Sequence, residues 1–157
     1  MTYTLRAAVG EDATVLAEID SAASAYAWSG TQLAAACATR CATADSAGAE
    51  CVQVLETGSR LAGFVVYSLV LDEASVLNLA VHPDFQRRGY ARTLLRATLD
   101  SVSRLGARRC LLEVRASNIA ARSLYHSCGF TLDGIRKDYY VSAGGREDAL
   151  LMSKTLA

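Results

Sequence analysis

Residues 82–95 read HPDFQRRGYARTLL, and the fold turns on this stretch because a strand pattern ends and a helix pattern begins inside it. Upstream, Ser75 to Val81 (SVLNLAV) is an apolar run of strand length. Pro83, the only proline of the chain, keeps that strand from continuing. Downstream, Ala91, Leu94, Leu95, Thr98, Val102 and Leu105 recur at spacings of three and four, drawing one face of a long helix that Gly106 ends. At the junction, Gly89 lets the backbone bend and approach a ligand with no Cβ in the way, and Ala91 keeps the next inward position small. Arg87, Arg88 and Arg92 add full charge beside the unpaired first amides of the helix. Such a loop can cradle a phosphate or pyrophosphate. No Gly-Lys-Ser/Thr follows it, and the full GxGxxG of a dinucleotide fold is missing, so neither a nucleotide-triphosphate loop nor nicotinamide chemistry is indicated.

Working outward, the sequence predicts a first strand in Thr2 to Ala8, a helix over Asp12 to Ala25, and a second helix capped by Ser29 and running toward Arg40. Residues 42–50 (ATADSAGAE) read as a loop. Cys51 to Val70 forms two β-rich runs about Thr57-Gly58-Ser59, a hairpin, and Asp72 to Ala74 turns the chain again. Cys110 to Ala116 is a strand, Asn118 caps a helix ended by Gly129, and two strands follow near 131–141 and 147–156. There is no linker, repeat or low-complexity block. The expectation is one domain over residues 1–157, mixed α/β, with hairpins on both sides of a central strand–helix–strand unit.

Composition narrows the partners. Apolar residues make up 52% of the 157, which suits a globular core. Sixteen basic residues balance sixteen acidic ones, which gives no general electrostatic case for nucleic acid or an anionic membrane, so neither is expected as a partner. The N-terminus lacks the pattern of a secretion signal and no run reaches membrane-spanning length, so a cytoplasmic location is expected. The five cysteines are Cys37, Cys41, Cys51, Cys110 and Cys128. Cys37 and Cys41 would share a helix face, but buried thiols in a reducing compartment are the preferred reading, and no metal is expected. The oligomeric state is left open; a monomer is compatible with the sequence.

The loop meets the (Q/R)xxGx(G/A) pattern through Gln86, Gly89 and Ala91, directly after an apolar strand. In this it resembles the GNAT family of N-acetyltransferases, whose members bind the pyrophosphate of acetyl-CoA there. The likeness continues through VLDEASVLNLAVHPDFQRRGYARTLL (70–95), LEVRASNIAARSLYHSCGF (112–130) and IRKDYYVSAGGREDALLM (135–152), which resemble the RimI branch. Ala23 to Ser29 (ASAYAWS) is similar to that branch's early segment, although Ala27 stands where its members carry proline. The resemblance implies a mixed, mostly antiparallel sheet flanked by helices, with a splay between two parallel strands holding acetyl-CoA. It implies cofactor contacts from Leu79, Ala80, Val81, Gln86, Arg87, Arg88, Gly89, Tyr90, Ala91, Arg92 and Asn118. It also implies acetylation of a protein N-terminal α-amine, for RimI-type enzymes the N-terminal alanine of small-subunit ribosomal protein eighteen.

Acetyl transfer from a thioester needs a neutral amine, a stabilised oxyanion and a proton for the departing thiolate. A protein α-amine has a pKa of roughly 7.7–8.0, so modest base help suffices. Glu113, in an apolar strand, is the candidate base; partial enclosure beside the cofactor would raise its pKa usefully. Tyr125, on the helix after Asn118, is the acid that the resemblance implies, where an aromatic would otherwise simply fill the core. Backbone amides of residues 79–81 are expected to pair with the pantetheine arm as an added strand would. Tyr26, Trp28, Tyr139 and Tyr140 are candidate walls of a peptide slot by the same analogy. His82 and His126 read as surface or structural residues; His126 lies about 100° round its helix from Tyr125. The alternatives are a family member acting on lysine side chains or a small amine, and a CoA-binding partner protein without turnover.

Overall fold

The computed structural model describes residues 2–39 and 48–156. Cys41, and with it the expected pairing of Cys37 and Cys41 on one helix face, lies outside the described residues, as does most of the 42–50 loop. The elements follow one another as β1 (Thr4–Ala7), α1 (Ala13–Ala23), α2 (Gly30–Ala38), β2 (Cys51–Thr57), β3 (Arg60–Val70), β4 (Glu73–Val81), α3 (Tyr90–Arg104), β5 (Arg109–Arg115), α4 (Ile119–Ser127), β6 (Thr131–Ser142) and β7 (Gly145–Thr155). Short 3-10 turns at Gly10–Asp12 and Pro83–Phe85 lead into α1 and toward α3.

The seven strands form one sheet in the order β1-β2-β3-β4-β5-β7-β6. Every neighbouring pair is antiparallel except β4 and β5, which the α3 crossover makes parallel. Side-chain alternation divides the core between the two faces. Val52, Val54, Phe64, Val66 and Ala80 pack beneath α1 and α2 with Leu16, Ile19 and Leu33. Leu55, Val65, Tyr67, Cys110, Leu112 and Val114 meet Leu94, Leu95, Leu99 and Val102 of α3 and Tyr125 of α4 on the other face. Burying side chains of this size stabilises by about 1.5–3 kcal/mol each, so α3's apolar stripe anchors the helix to the sheet.

One expected boundary moves. The turn between β3 and β4 is Leu71–Asp72, and β4 already begins at Glu73. Leu71 takes a left-handed φ of 56°, so the chain reverses one residue early. Glu73 and Ala74 are then held on both sides, by Val70 and Leu69 of β3 and by Arg109 and Cys110 of β5.

The sheet opens at its parallel seam. β4 and β5 pair only from Glu73↔Arg109 to Val76↔Leu112, and beyond that register they part. The cause lies in the β3–β4 ladder: Tyr67 opposes Val76 while Val66 opposes Asn78, which leaves Leu77 as an extra residue in β4. A bulge of this kind bends and twists its strand. At the far end of β4, Gly63 of β3 permits the close approach, since a Cβ there would stand 2.7 Å from the Ala80 carbonyl oxygen.

Candidate active site

The gap between the splayed strands exposes the edge of β4. The His82 amide donates to the Ala62 carbonyl of β3 at 2.8 Å, so by strand alternation the Leu79 and Val81 backbone groups turn away from β3 and toward the gap. Gln86 Nε2 donates to the Val81 carbonyl at 2.9 Å, which ties the following loop to the strand edge. His82 caps the Pro83–Phe85 turn, its Nδ1 accepting from the Asp84 amide at 3.1 Å, and so has a structural part.

The loop then takes a form that the sequence pattern alone did not reveal. Arg87 and Gly89 both have left-handed φ values, 64° and 81°. Alternation of left- and right-handed residues turns successive amides to one side and makes an anion-binding concavity. Gly89 is the N-cap of α3, and no side chain caps the helix, so its first-turn donors remain available. A Cβ at Gly89 would meet nothing of the protein within 4 Å, so the glycine serves its left-handed backbone and an open approach. These features fit a diphosphate.

A cleft of about 610 Å³ runs from this loop to α4. Its lining includes Leu79, Ala80, Val81, Gln86, Arg87, Gly89, Tyr90, Ala91, Arg92, Asn118 and Tyr125. Arg88 is outside it, its guanidinium 5.4 Å from the centroid of the Phe85 ring. Asn118 caps α4, its side chain accepting from the Ala121 amide at 3.2 Å, while also facing the cleft. Tyr125 is 8% exposed and leans on Phe130, with ring centroids 5.8 Å apart. Burial, and secondarily the neighbouring Cys110, pushes its phenol up to about 12, so it holds its proton across any ordinary working pH.

Glu113 approaches from the other side. On β5 it alternates with Leu112 and Val114, which pack on the Tyr125 face, so its carboxylate lies on the opposite face of the sheet. It lines a separate hollow with Leu77, Leu111, Arg136 and Tyr140. Its side chain is 35% exposed and its Oε1 stands 3.7 Å from Arg136 Nη2, a more open setting than its apolar strand neighbours suggested.

A third hollow adjoins the first, sharing Ala23, Leu79, Ala80 and Asn118 with it. Tyr26, Trp28, Asn78 and Arg115 are among the other residues of its walls. The loop carrying Tyr26 and Trp28 is secured by a buried carboxylate: Asp20 Oδ2 accepts from the Trp28 amide at 2.9 Å and from Asn78 Nδ2 at 2.8 Å. Tyr139 and Tyr140 stack edge to face at 5.0 Å; Tyr140 turns toward Glu113's hollow, and Tyr139 is 45% exposed. Asp20, Asn78 and Arg115 were missed in the sequence. Only for Arg115 was there a signal, its place two residues after Glu113 on the same strand face.

Cys37, Cys51, Cys110 and Cys128 are buried. Among the described residues no group of three metal-ligating side chains converges, and no helix is long and apolar enough to cross a membrane.

The chain is similar to known proteins throughout these elements. Residues 14–130 match the model of the acetyltransferase (GNAT) family. A ribosomal protein bS18-alanine N-acetyltransferase of Salmonella typhimurium is 48% identical over 99 residues, 63% of this chain and 67% of that protein. One from Haemophilus ducreyi is 38% identical over 148 residues, 92% of this chain and 94% of that protein. The crystal structure of the ribosomal-protein-S18-alanine N-acetyltransferase from Escherichia coli superposes with a TM-score of 0.87 at 34% identity, covering 99% of this chain and 95% of that one.

Proposed function

Because the chain belongs to the acetyltransferase (GNAT) family, we propose that it acetylates a protein N-terminal α-amine, the alanine that opens ribosomal protein bS18. The observation that carries the reading is the opened β4–β5 seam, with a cleft running from the Gly89 loop to the buried Tyr125 phenol and a separate hollow lined by Glu113 on the opposite face of β5. Acetyl-CoA, the family's cosubstrate, supplies the activated acetyl group when bound.

The residues divide the work by face. Arg87, Gly89, Tyr90, Ala91 and Arg92 hold the diphosphate, with Arg88 adding charge from outside the lining. The Leu79 and Val81 backbone groups hold the arm, and the free amide among them is suited to a developing oxyanion, a donor worth roughly 3 kcal/mol at other acyl-transfer sites. Asn118 closes the cleft beside Tyr125. The hollow of Tyr26 and Trp28 receives the peptide terminus, with Tyr140 on the Glu113 side and Tyr139 packed behind Tyr140. Glu113 takes the proton of the incoming ammonium, directly or through one water. As the C–S bond breaks and the C–N bond stands, Tyr125, held neutral by burial, gives its Oη proton to the departing thiolate and regains one, through solvent, from the nitrogen as it becomes the amide. No acyl-cysteine is required, since the amine attacks directly.

On this reading Glu113 and Tyr125 act from opposite faces of β5. The whole chain is read as one domain serving this one site, with no nucleic acid or membrane taking part, in the cytoplasm where ribosomal proteins are made.

Incubation of the full chain with acetyl-CoA and an alanine-starting bS18 peptide, followed by mass spectrometry, tests the proposal. The acetyl should appear on the α-nitrogen. Transfer to lysine, whose reference pKa of about 10.4 demands more of the base, would overturn the substrate, and absence of turnover would overturn the activity.

A further inference from the structure

Arg115 closes β5, and its side chain meets three other pieces of chain, the Tyr26 loop, β6 and β7. Its guanidinium carbon lies 3.4 Å from the centroid of the Tyr26 ring and 4.3 Å from that of Tyr140. Its Nη1 donates to the Val141 carbonyl at 3.0 Å and to Glu147 Oε2 at 3.5 Å. Glu147 Oε1 accepts in turn from the Ser117 amide at 3.1 Å and the Ser117 hydroxyl at 2.7 Å. Tyr26 comes from the α1–α2 loop, Ser117 from the β5–α4 connection, and Tyr140 and Glu147 face each other across the β6–β7 hairpin.

This arrangement does more than neutralise a charge. Glu147 alone would satisfy the cation, yet the planar guanidinium is also placed against two aromatic faces from separate elements. Tyr26 is 44% exposed, and the Ser24 hydroxyl accepts from its backbone amide at 3.0 Å. Without the guanidinium its ring would have to be ordered each time a peptide bound. With it, that ordering is completed during folding, and preorganisation of this kind lowers the cost of binding.

We propose that Arg115 is a positioning residue that fixes the separation of Tyr26 and Tyr140 and thereby sets the width of the peptide slot. The inference rests on the reading of those two tyrosines as slot walls. Arg115 touches no reacting atom in this scheme. Its removal therefore weakens peptide capture and spares the diphosphate cradle, which lies on the other face of the sheet.

The test is steady-state kinetics of the full chain carrying Arg115→Met, Arg115→Lys, Tyr26→Leu, Tyr140→Leu, or both tyrosine changes with and without Arg115→Met. Arg115→Met should raise the peptide KM about tenfold, with the acetyl-CoA KM and kcat near wild type. Arg115→Lys keeps a cation over the rings without the planar fork and should recover part of that loss. Once both rings are gone, Arg115→Met should add little. An unchanged peptide KM in Arg115→Met overturns the proposal, as does a parallel loss of kcat and acetyl-CoA affinity in both Arg115 variants, which general loosening would produce. If the tyrosine variants leave the peptide KM at wild type, the slot reading fails and the proposal with it. If they raise it and Arg115→Met does not, only the positioning role fails.

Discussion

Glu113 and Tyr125 stand on opposite faces of β5, the carboxylate beside Arg136 at 3.7 Å and the phenol buried with Leu112 and Val114. A single sheet thus separates the proposed base from the proposed acid. β4 and β5 cease pairing after Val76 and Leu112, and the proposed mechanism relies on that opening to let the two act on one reaction.

Glu113→Gln keeps the shape and removes the base. The expected result is a fall in kcat of about 10²- to 10⁴-fold, the usual contribution of a positioned general base, with acetyl-CoA affinity retained. Stopped-flow or calorimetric binding beside steady-state rates checks this. Unaltered turnover would refute the assignment.

Tyr125→Phe should lower kcat and leave peptide KM near wild type. Because burial raises the phenol to about 12, its titration should not shape the rate profile near neutrality. The same shift has a consequence for stability. The folded pKa lies above the ordinary value of 10, so the neutral phenol's contribution is complete below pH 10 and is lost as pH rises toward 12. Thermal melts of wild type should decline across that interval more steeply than those of Tyr125→Phe. Parallel curves would remove this account.

Gly89→Leu places a side chain on a left-handed residue, at about 1–2 kcal/mol, and into the open approach to the cradle. Coenzyme A affinity, measured by calorimetry, should drop at least tenfold. Intact affinity with failed chemistry would contradict the diphosphate reading.

Asp20 is 2% exposed, and a single oxygen, Oδ2, accepts from both the Trp28 amide and Asn78. An asparagine carbonyl can do the same. Asp20→Asn should therefore remain close to wild type, whereas Asp20→Ala leaves two donors unmet and should lose about 1–3 kcal/mol in denaturant unfolding, with a raised peptide KM. Equal losses in the two variants would show that the charge, and not the geometry, matters.

The order of strands and helices was legible in the sequence because each element carries its own period: the stripe from Ala91 to Val102 for α3, the alternation about Thr57-Gly58-Ser59 for the hairpin. The Gly89 loop was legible as a candidate cradle for the same local reason, since Gln86, Gly89 and Ala91 lie within a few residues of one another and line one cleft. Arg87's left-handed backbone was not, because nothing in an arginine signals a conformation that the surrounding loop imposes. Asp20 escaped notice because its partners, Trp28 and Asn78, are 8 and 58 residues away.

By itself, then, the chain's order of residues determined which segments become strands and helices, and it singled out the Gly89 loop, Glu113 and Tyr125 as candidates for the site. Local spacing carries that information. Tertiary structure decided which face of the sheet each group occupies, how Arg115 gathers Tyr26 and Tyr140, and that Arg136 stands beside Glu113. Those relations depend on a one-residue bulge at Leu77 and on the register of distant strands, and neither is written in the sequence near the groups they bring together.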